Sequence, residues 1–195
     1  MERRGSCLRE TRETRVEVDL RLDGAGTSRV ATGVGFLDHM LESLATHAGF
    51  DLDVTARGDL QVDAHHTVED VALCLGRALT RAVAEGPGVE RFGHAVVPMD
   101  ESLGWAAVDF SGRALAVIDL GFVGPTVGGI PGSLLEHFFE SMVRSAEITL
   151  HLSAQGRDDH HLAEAAFKAL ARALRQAVQV DPRGLRRAAS TKEPA

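Results

Sequence analysis

Residues 14–22, TRVEVDLRL, alternate apolar and polar positions, the period-two pattern of a strand with one buried face. DGAG after them is a turn signal, and it leads to a second extended piece near SRVATG, so a β-hairpin is expected here. GFLDHMLESLATHAG then changes to helical spacing, and DLDVTARG returns to alternation. HHTVEDVALCLGRALTRAVAEG predicts a long helix closed by glycine at position 86. The first half therefore predicts the order β, β, α, β, α. After PGVERFG, strands are expected at HAVVPM, LGWAAVDF and ALAVIDL, followed by helix SLLEHFFESMVRSA, strand EITLHLSAQG and helix HHLAEAAFKALARALRQAV. The second half predicts the same order with one strand more.

The halves also match residue by residue. An offset of 98 places GFLDHMLES over SLLEHFFES, so that His39 falls on His137, Asp38 on Glu136, Glu42 on Glu140 and Ser43 on Ser141, and it carries TARG onto SAQG. After a three-residue deletion, HHTVED falls on HHLAEA and both helices run on to a matching RAL. An internal duplication of this kind outranks any single motif. It predicts an α+β protein built from an internally duplicated pair of halves, each a small β-sheet covered on one face by two helices. The expected divisions are residues 1–88 for the first repeat, 89–180 for the second and 181–195 for a C-terminal tail, with the two repeats forming one structural unit.

Composition narrows the function. A chain of 195 residues that is 44% hydrophobic and 25% charged can bury a core of ordinary size. Its net charge of -7 provides no basic footprint, which argues against a nucleic-acid partner. No apolar run approaches the roughly 20 residues of a membrane span. The charged start MERRGSCLRETRETR lacks the apolar stretch of a signal peptide, and a cytoplasmic location is expected. Cys7 and Cys74 are too few and too far apart in sequence for a disulfide framework or a zinc site, and Cys74 reads as a small buried apolar group.

The histidines carry the chemistry. Six of the nine (His39, His65, His66, His137, His160 and His161) occupy duplicated positions, and His47, His94 and His151 do not. A lone His-His pair at a helix start usually means little. Here an acidic partner recurs at a fixed offset, Glu69 and Glu164, and a third histidine comes twice from the preceding helix. That set suits manganese, iron, zinc or nickel. Residues four apart share one helix face whereas adjacent residues diverge by about 100°, so His65 and Glu69 can hold one ion while His66 turns toward another. Pseudo-symmetry then predicts one site from His65, Glu69, His137 and His161, and a like site from His39, His66, His160 and Glu164. Four protein ligands leave open positions on an octahedral ion, as catalysis or substrate chelation requires. Adjacent histidines serving different ions are also compatible with sites that bridge subunits.

TRETRVEVDLRLDG, GVGFLDHMLESLATH, GDLQVDAHHTVED, RFGHAVVPMDESL and HHLAEAAFKALARAL together resemble the imidazoleglycerol-phosphate dehydratase family along nearly the whole chain, in order and with few gaps. The resemblance implies a hydro-lyase of histidine biosynthesis that converts D-erythro-imidazole glycerol phosphate to imidazole acetol phosphate. It implies two Mn2+ per active site and self-association into a homo-oligomer of 24 subunits with sites at the interfaces. The chemistry is coherent with that set. The carbon that loses its proton has no neighbouring carbonyl, so the imidazole ring must act as electron sink. A cation at each ring nitrogen would favour a dimetal-bound imidazolate intermediate able to expel hydroxide through a diazafulvene-like form.

Further roles are implied by the same resemblance. Glu13 in TRET matches the family's acid/base glutamate, and is expected on the first strand beside Arg15 and Glu17. Arg91 in RFG, Arg113 in SGR, and Ser190 and Lys192 in STK match phosphate-binding positions. The chain departs from the pattern where STKEPA replaces STK followed by glycine and an apolar residue, and at Ser43, where glutamine is usual. Asp100 and Glu101 in PMDES read equally as turn or site residues. Two other classes compete with the dehydratase: a binuclear metallohydrolase acting on a phosphate ester, and a ferritin-like metal store. The latter requires four long helices, which the strand patterns before each helix oppose.

Overall fold

A computed structural model describes residues 2–86 and 88–181. Strand β1 (Arg4–Glu10) forms an antiparallel hairpin with β2 (Thr14–Arg21). β3 (Ser28–Ala31) leads to helix α1 (Gly35–Ala48), β4 (Asp51–Gly58) and helix α2 (His65–Ala84). The second half runs β5 (Phe92–Met99), β6 (Ser102–Asp109), β7 (Leu115–Asp119), a small pair β8 (Thr126–Val127) and β9 (Ile130–Pro131), helix α3 (Gly132–Ala146), β10 (Thr149–Gln155) and helix α4 (Asp159–Ala177). The two main sheets have orders β1-β2-β4-β3 and β5-β6-β10-β7. The fold is α+β with duplicated halves.

Two expectations change. The hairpin partner of β2 is β1, not the SRVATG piece; β3 instead pairs in parallel with β4. Both edges of β2 are taken, by β1 and by β4, so β3 does not pair with β2 and extends the sheet beyond β4. Restoring β1 removes the apparent surplus strand in the second half. The registers then coincide. Arg4 faces Arg21 and Glu10 faces Arg15 in one hairpin, as Phe92 faces Asp109 and Pro98 faces Leu103 in the other, each residue lying 88 positions before its counterpart. Val16 opposite Ala56 likewise corresponds to Gly104 opposite Ala154. The spacing grows from 88 in the hairpins to 98 between α1 and α3 because the second half inserts the loop bearing β8 and β9.

Alternation leaves one face of each sheet for the helices. Val16, Val18 and Leu20 of β2 with Leu52 and Val54 of β4, and Leu150 and Leu152 of β10 with Val108 of β6, are all buried. Helices α1 and α2 lie against the first sheet and α3 and α4 against the second, while α2 packs on α3 and α1 on α4. The helices are therefore the middle layer, and a single apolar cluster runs through both halves. At its centre Phe138, Phe139 and Phe167 are fully buried, with ring centroids 4.7 to 5.6 Å apart. The edge strands sit directly on helix backbone. A Cβ on Gly5 would stand 2.0 Å from the Ala78 carbonyl oxygen, and one on Gly93 2.0 Å from that of Ala173. Only glycine permits that approach. β1 also brings Cys7 to 3.3 Å from Cys74, both buried, and burial followed by the Cys7 contact pushes the Cys74 thiol up to about 12. Among the described residues no helix is long and apolar enough to cross a membrane.

Candidate functional site

The paired histidines open helices, and the reason is local. The Asp158 side chain caps α4 by accepting from the backbone N–H groups of His160 and His161 at 2.8 and 3.3 Å. The equivalent Asp63 accepts from the His65 N–H at 2.7 Å. Each aspartate fixes the first turn, so His65 and His160 project one turn before Glu69 and Glu164 on the same helix face. Helices α1 and α3 then supply a third side chain each.

The result is two matching triads, one of His39, His160 and Glu164, the other of His65, Glu69 and His137, with ligand atoms in each lying within 4.8 Å of one another. Each combines the two halves. In the first, Glu164 Oε1 lies 3.1 Å from His39 Nε2 and 3.2 Å from His160 Nε2. In the second, Glu69 lies 3.5 Å from His137 Nε2 and 3.9 Å from His65 Nε2, and the His65 and His137 rings stack at 5.2 Å. Two imidazole nitrogens and one carboxylate facing a common point form a donor set for a borderline divalent cation such as manganese, iron or zinc. The residues fit such an ion. Burial raises the Glu164 carboxyl, but hydrogen bonds from Lys168, His39 and His160 outweigh that and hold it at about 2, so the carboxylate is ionised at neutral pH.

His66 and His161 join neither triad within one chain. Each is anchored through Nδ1 to a carboxylate, His66 to Asp59 at 3.0 Å and His161 to Glu101 at 2.8 Å. Those partners raise both imidazoles above their ordinary pKa in the absence of a metal. They also leave Nε2 as the nitrogen available for a ligand, the arrangement by which outer carboxylates orient metal-binding histidines. Glu101 is thus both a turn and a site-proximal residue. It also accepts from Ser102 Oγ and from the Arg157 and Asp158 N–H groups, and the His161 hydrogen bond is the largest cause holding its carboxyl at about 2.

The remaining positions are more dispersed. Glu13 lies in the turn between β1 and β2 rather than on a strand, with its N–H donating to Thr11 Oγ1 and its carboxylate 3.8 Å from His66 Nδ1. Arg91 forms a two-pronged pair with Asp109, at 2.6 and 3.1 Å, and its guanidinium lies 4.7 Å from the Phe92 ring centre. Arg113 is exposed in the loop before β7. Ser190 and Lys192 lie outside the described residues. Ser43 Oγ is buried without a hydrogen-bond partner. Asp59 and Lys168 have no histidine or duplication pattern to single them out in the sequence; the position of Lys168 one turn after Glu164 is the signal that points to it.

A cleft of about 380 Å³ lies beside the second triad, lined by Asp63, His65, Pro131, Ser133, His137 and Glu140. A larger one of about 780 Å³, bounded by His94, Arg172 and Arg175, contains neither triad, and its size alone gives it no claim to the chemistry.

Residues 32–174 match the family model described as imidazoleglycerol-phosphate dehydratase. The chain is 54% identical over 179 residues to the imidazoleglycerol-phosphate dehydratase of Methanothermobacter thermautotrophicus, covering 92% of each chain. It is 49% identical to that of Acidiphilium cryptum over 98% of each. Among solved structures, the enzyme of that name from Staphylococcus aureus aligns with a TM-score of 0.82 at 32% identity, over 91% of this chain and 99% of the other. That from Pyrococcus furiosus aligns at 0.76 and 33%, over 92% and 99%.

Proposed function

The chain belongs to the imidazoleglycerol-phosphate dehydratase family and is a hydro-lyase, and we propose that it dehydrates D-erythro-imidazole glycerol phosphate to imidazole acetol phosphate on a pair of Mn2+ ions, as a step of histidine biosynthesis. The observation that carries the metal-dependent part of this reading is the pair of pseudo-symmetric triads at the junctions between the halves. A substrate with two ring nitrogens calls for two like sites. Two unrelated sites would not hold its ends equivalently.

In this reading His39, His160 and Glu164 hold one ion and His65, Glu69 and His137 the other. His66 and His161 are offered to the triads of neighbouring subunits, which fits their absence from both triads in one chain. The active sites then form between copies in a homo-oligomer, in line with the expected 24 subunits. When bound, the two cations supply Lewis acidity at the substrate's ring nitrogens.

The chain's own residues supply the rest. Glu13, more than half exposed at its turn and 3.8 Å from His66, is the acid/base that moves the proton. Arg113, with Ser190 and Lys192 of the tail, binds the phosphate. Arg91 serves the same end while held in a fixed orientation by Asp109. The strand-led fold excludes a ferritin-like bundle. The deciding experiment is an assay of the purified protein on imidazole glycerol phosphate, with and without Mn2+, beside a simple phosphate monoester. Manganese-dependent formation of imidazole acetol phosphate supports the reading. Hydrolysis of the monoester without dehydration overturns it.

A further inference from the structure

Glu13 and Glu101 occupy the same place in the two halves. The hairpin registers coincide at a spacing of 88, which puts the turn residue before β2 on the turn residue before β6. The histidines next to them, His66 and His161, are likewise equivalent. Yet the two glutamates are used differently. In the second half Glu101 is fully engaged, with Oε2 2.8 Å from His161 Nδ1 and Oε1 accepting from Ser102 and from the N–H groups of Arg157 and Asp158. In the first half His66 Nδ1 is held instead by Asp59, at 3.0 and 3.2 Å. Glu13 stands off at 3.8 Å, and its side chain is 57% exposed against 25% for Glu101.

The substitution has a local source. Asp59 directly follows Gly58 at the end of β4, and the residue that follows the equivalent Gly156 is Arg157, which offers a histidine no acceptor. Asp59 is rigidly placed, since its carbonyl closes a tight turn with the Val62 N–H at 2.7 Å and its side chain is 18% exposed. One histidine nitrogen carries one proton and needs one acceptor. With Asp59 in place, that acceptor is not Glu13.

We propose that Asp59 is a positioning residue that takes over the anchoring of His66 and thereby keeps the Glu13 carboxylate out of a hydrogen bond with His66 and available for the reaction, whereas the equivalent Glu101 remains committed to orienting His161. The inference rests on the dehydratase reading for what Glu13 does, and on geometry for what Asp59 does. Removing Asp59 converts the first half to the arrangement of the second.

The test compares Asp59→Ala, Asp59→Asn, Glu13→Gln and the double variant Asp59→Ala/Glu13→Ala as manganese-loaded assemblies, by crystal structure, Mn2+ affinity and steady-state kinetics. In Asp59→Ala, Glu13 is expected to move within hydrogen-bond distance of His66 Nδ1. Mn2+ affinity should then stay within about threefold of wild type, while kcat falls as far as in Glu13→Gln, about 10²- to 10⁴-fold, with KM little changed. The double variant, with no acceptor oxygen at either position for His66, should lose a further 10- to 100-fold or so in Mn2+ affinity with no further loss in kcat at saturating Mn2+. Asp59→Asn keeps an acceptor oxygen and should restore most of the turnover. A wild-type kcat in Asp59→Ala, or a Glu13 that stays in its original position there, overturns the proposal. Failure of the wild type to dehydrate the substrate would defeat the functional reading instead; the crystal position of Glu13 and the coupling of the two substitutions in Mn2+ affinity would still decide this one.

Discussion

His39 and Glu164 stand 125 positions apart in the chain and meet at 3.1 Å, on helices from opposite halves. If this triad holds the proposed ion, metal binding is tied to the packing of α1 on α4. His39→Ala should therefore lower Mn2+ affinity by about 10- to 100-fold or more and lose turnover in parallel, measured as metal per chain after gel filtration. His65→Ala should do the same at the other triad. Normal turnover in either variant at low Mn2+ would remove that histidine from the site.

Glu13→Gln isolates proton transfer from metal binding. It should retain the assembly, the metal content and the substrate affinity, and lose about 10²- to 10⁴-fold in kcat. Turnover equal to wild type, with substrate saturating and metal content matched, would leave the acid/base role to another group.

On the proposed reading metal and assembly should be linked, because His66 and His161 join neither triad within one chain. Chelation at neutral pH should shrink the particle in light scattering, and Mn2+ should restore it. Acidification through the histidine range should act in the same direction, since a protonated imidazole cannot bind a metal. An unchanged mass in a fully metal-free sample would refute the linkage.

Asp51 provides a pH dependence remote from the candidate metal sites. Its Oδ1 accepts from Thr27 Oγ1 and from the Ala25 and Thr27 N–H groups at 2.7 to 3.0 Å, and these bonds, with the Thr27 hydroxyl first, lower its carboxyl from 3.8 to about 2. A lowered folded-state pKa means that the contribution is present above the unfolded value and lost as pH falls through the folded one. Asp51→Asn should thus cost about 1 kcal/mol near pH 7, seen as a Tm drop of about 2–4 °C. That difference should shrink as pH falls from about 4 to 2, and a constant difference would show that the charge is not responsible.

Gly5→Ala and Gly93→Ala should be equally disruptive. Each added methyl would meet a helix carbonyl at 2.0 Å, so each should destabilise by about 1–3 kcal/mol or more, measured by denaturant unfolding. A neutral effect in one and not the other would mean that the two edge strands are not equivalently seated.

The sequence alone determined the helices, most strands, the duplication and the recurring histidine and glutamate positions, because these depend on periodicity and on residue types that survive in register. It failed at β1. The inward positions of that strand include Gly5 and Cys7, small residues chosen for direct contact with the backbone and core of α2, and an apolar alternation pattern cannot register them. Missing β1 concealed the equivalence of Glu13 and Glu101, which lies at a spacing of 88 rather than 98. Only the tertiary structure decided which histidines meet. His65 and His66 are neighbours in the chain, but one faces α3 across the helix layer and the other turns back to Asp59 beyond the end of β4. Helix spacing states that they diverge; the packing of one half on the other decides what each one finds.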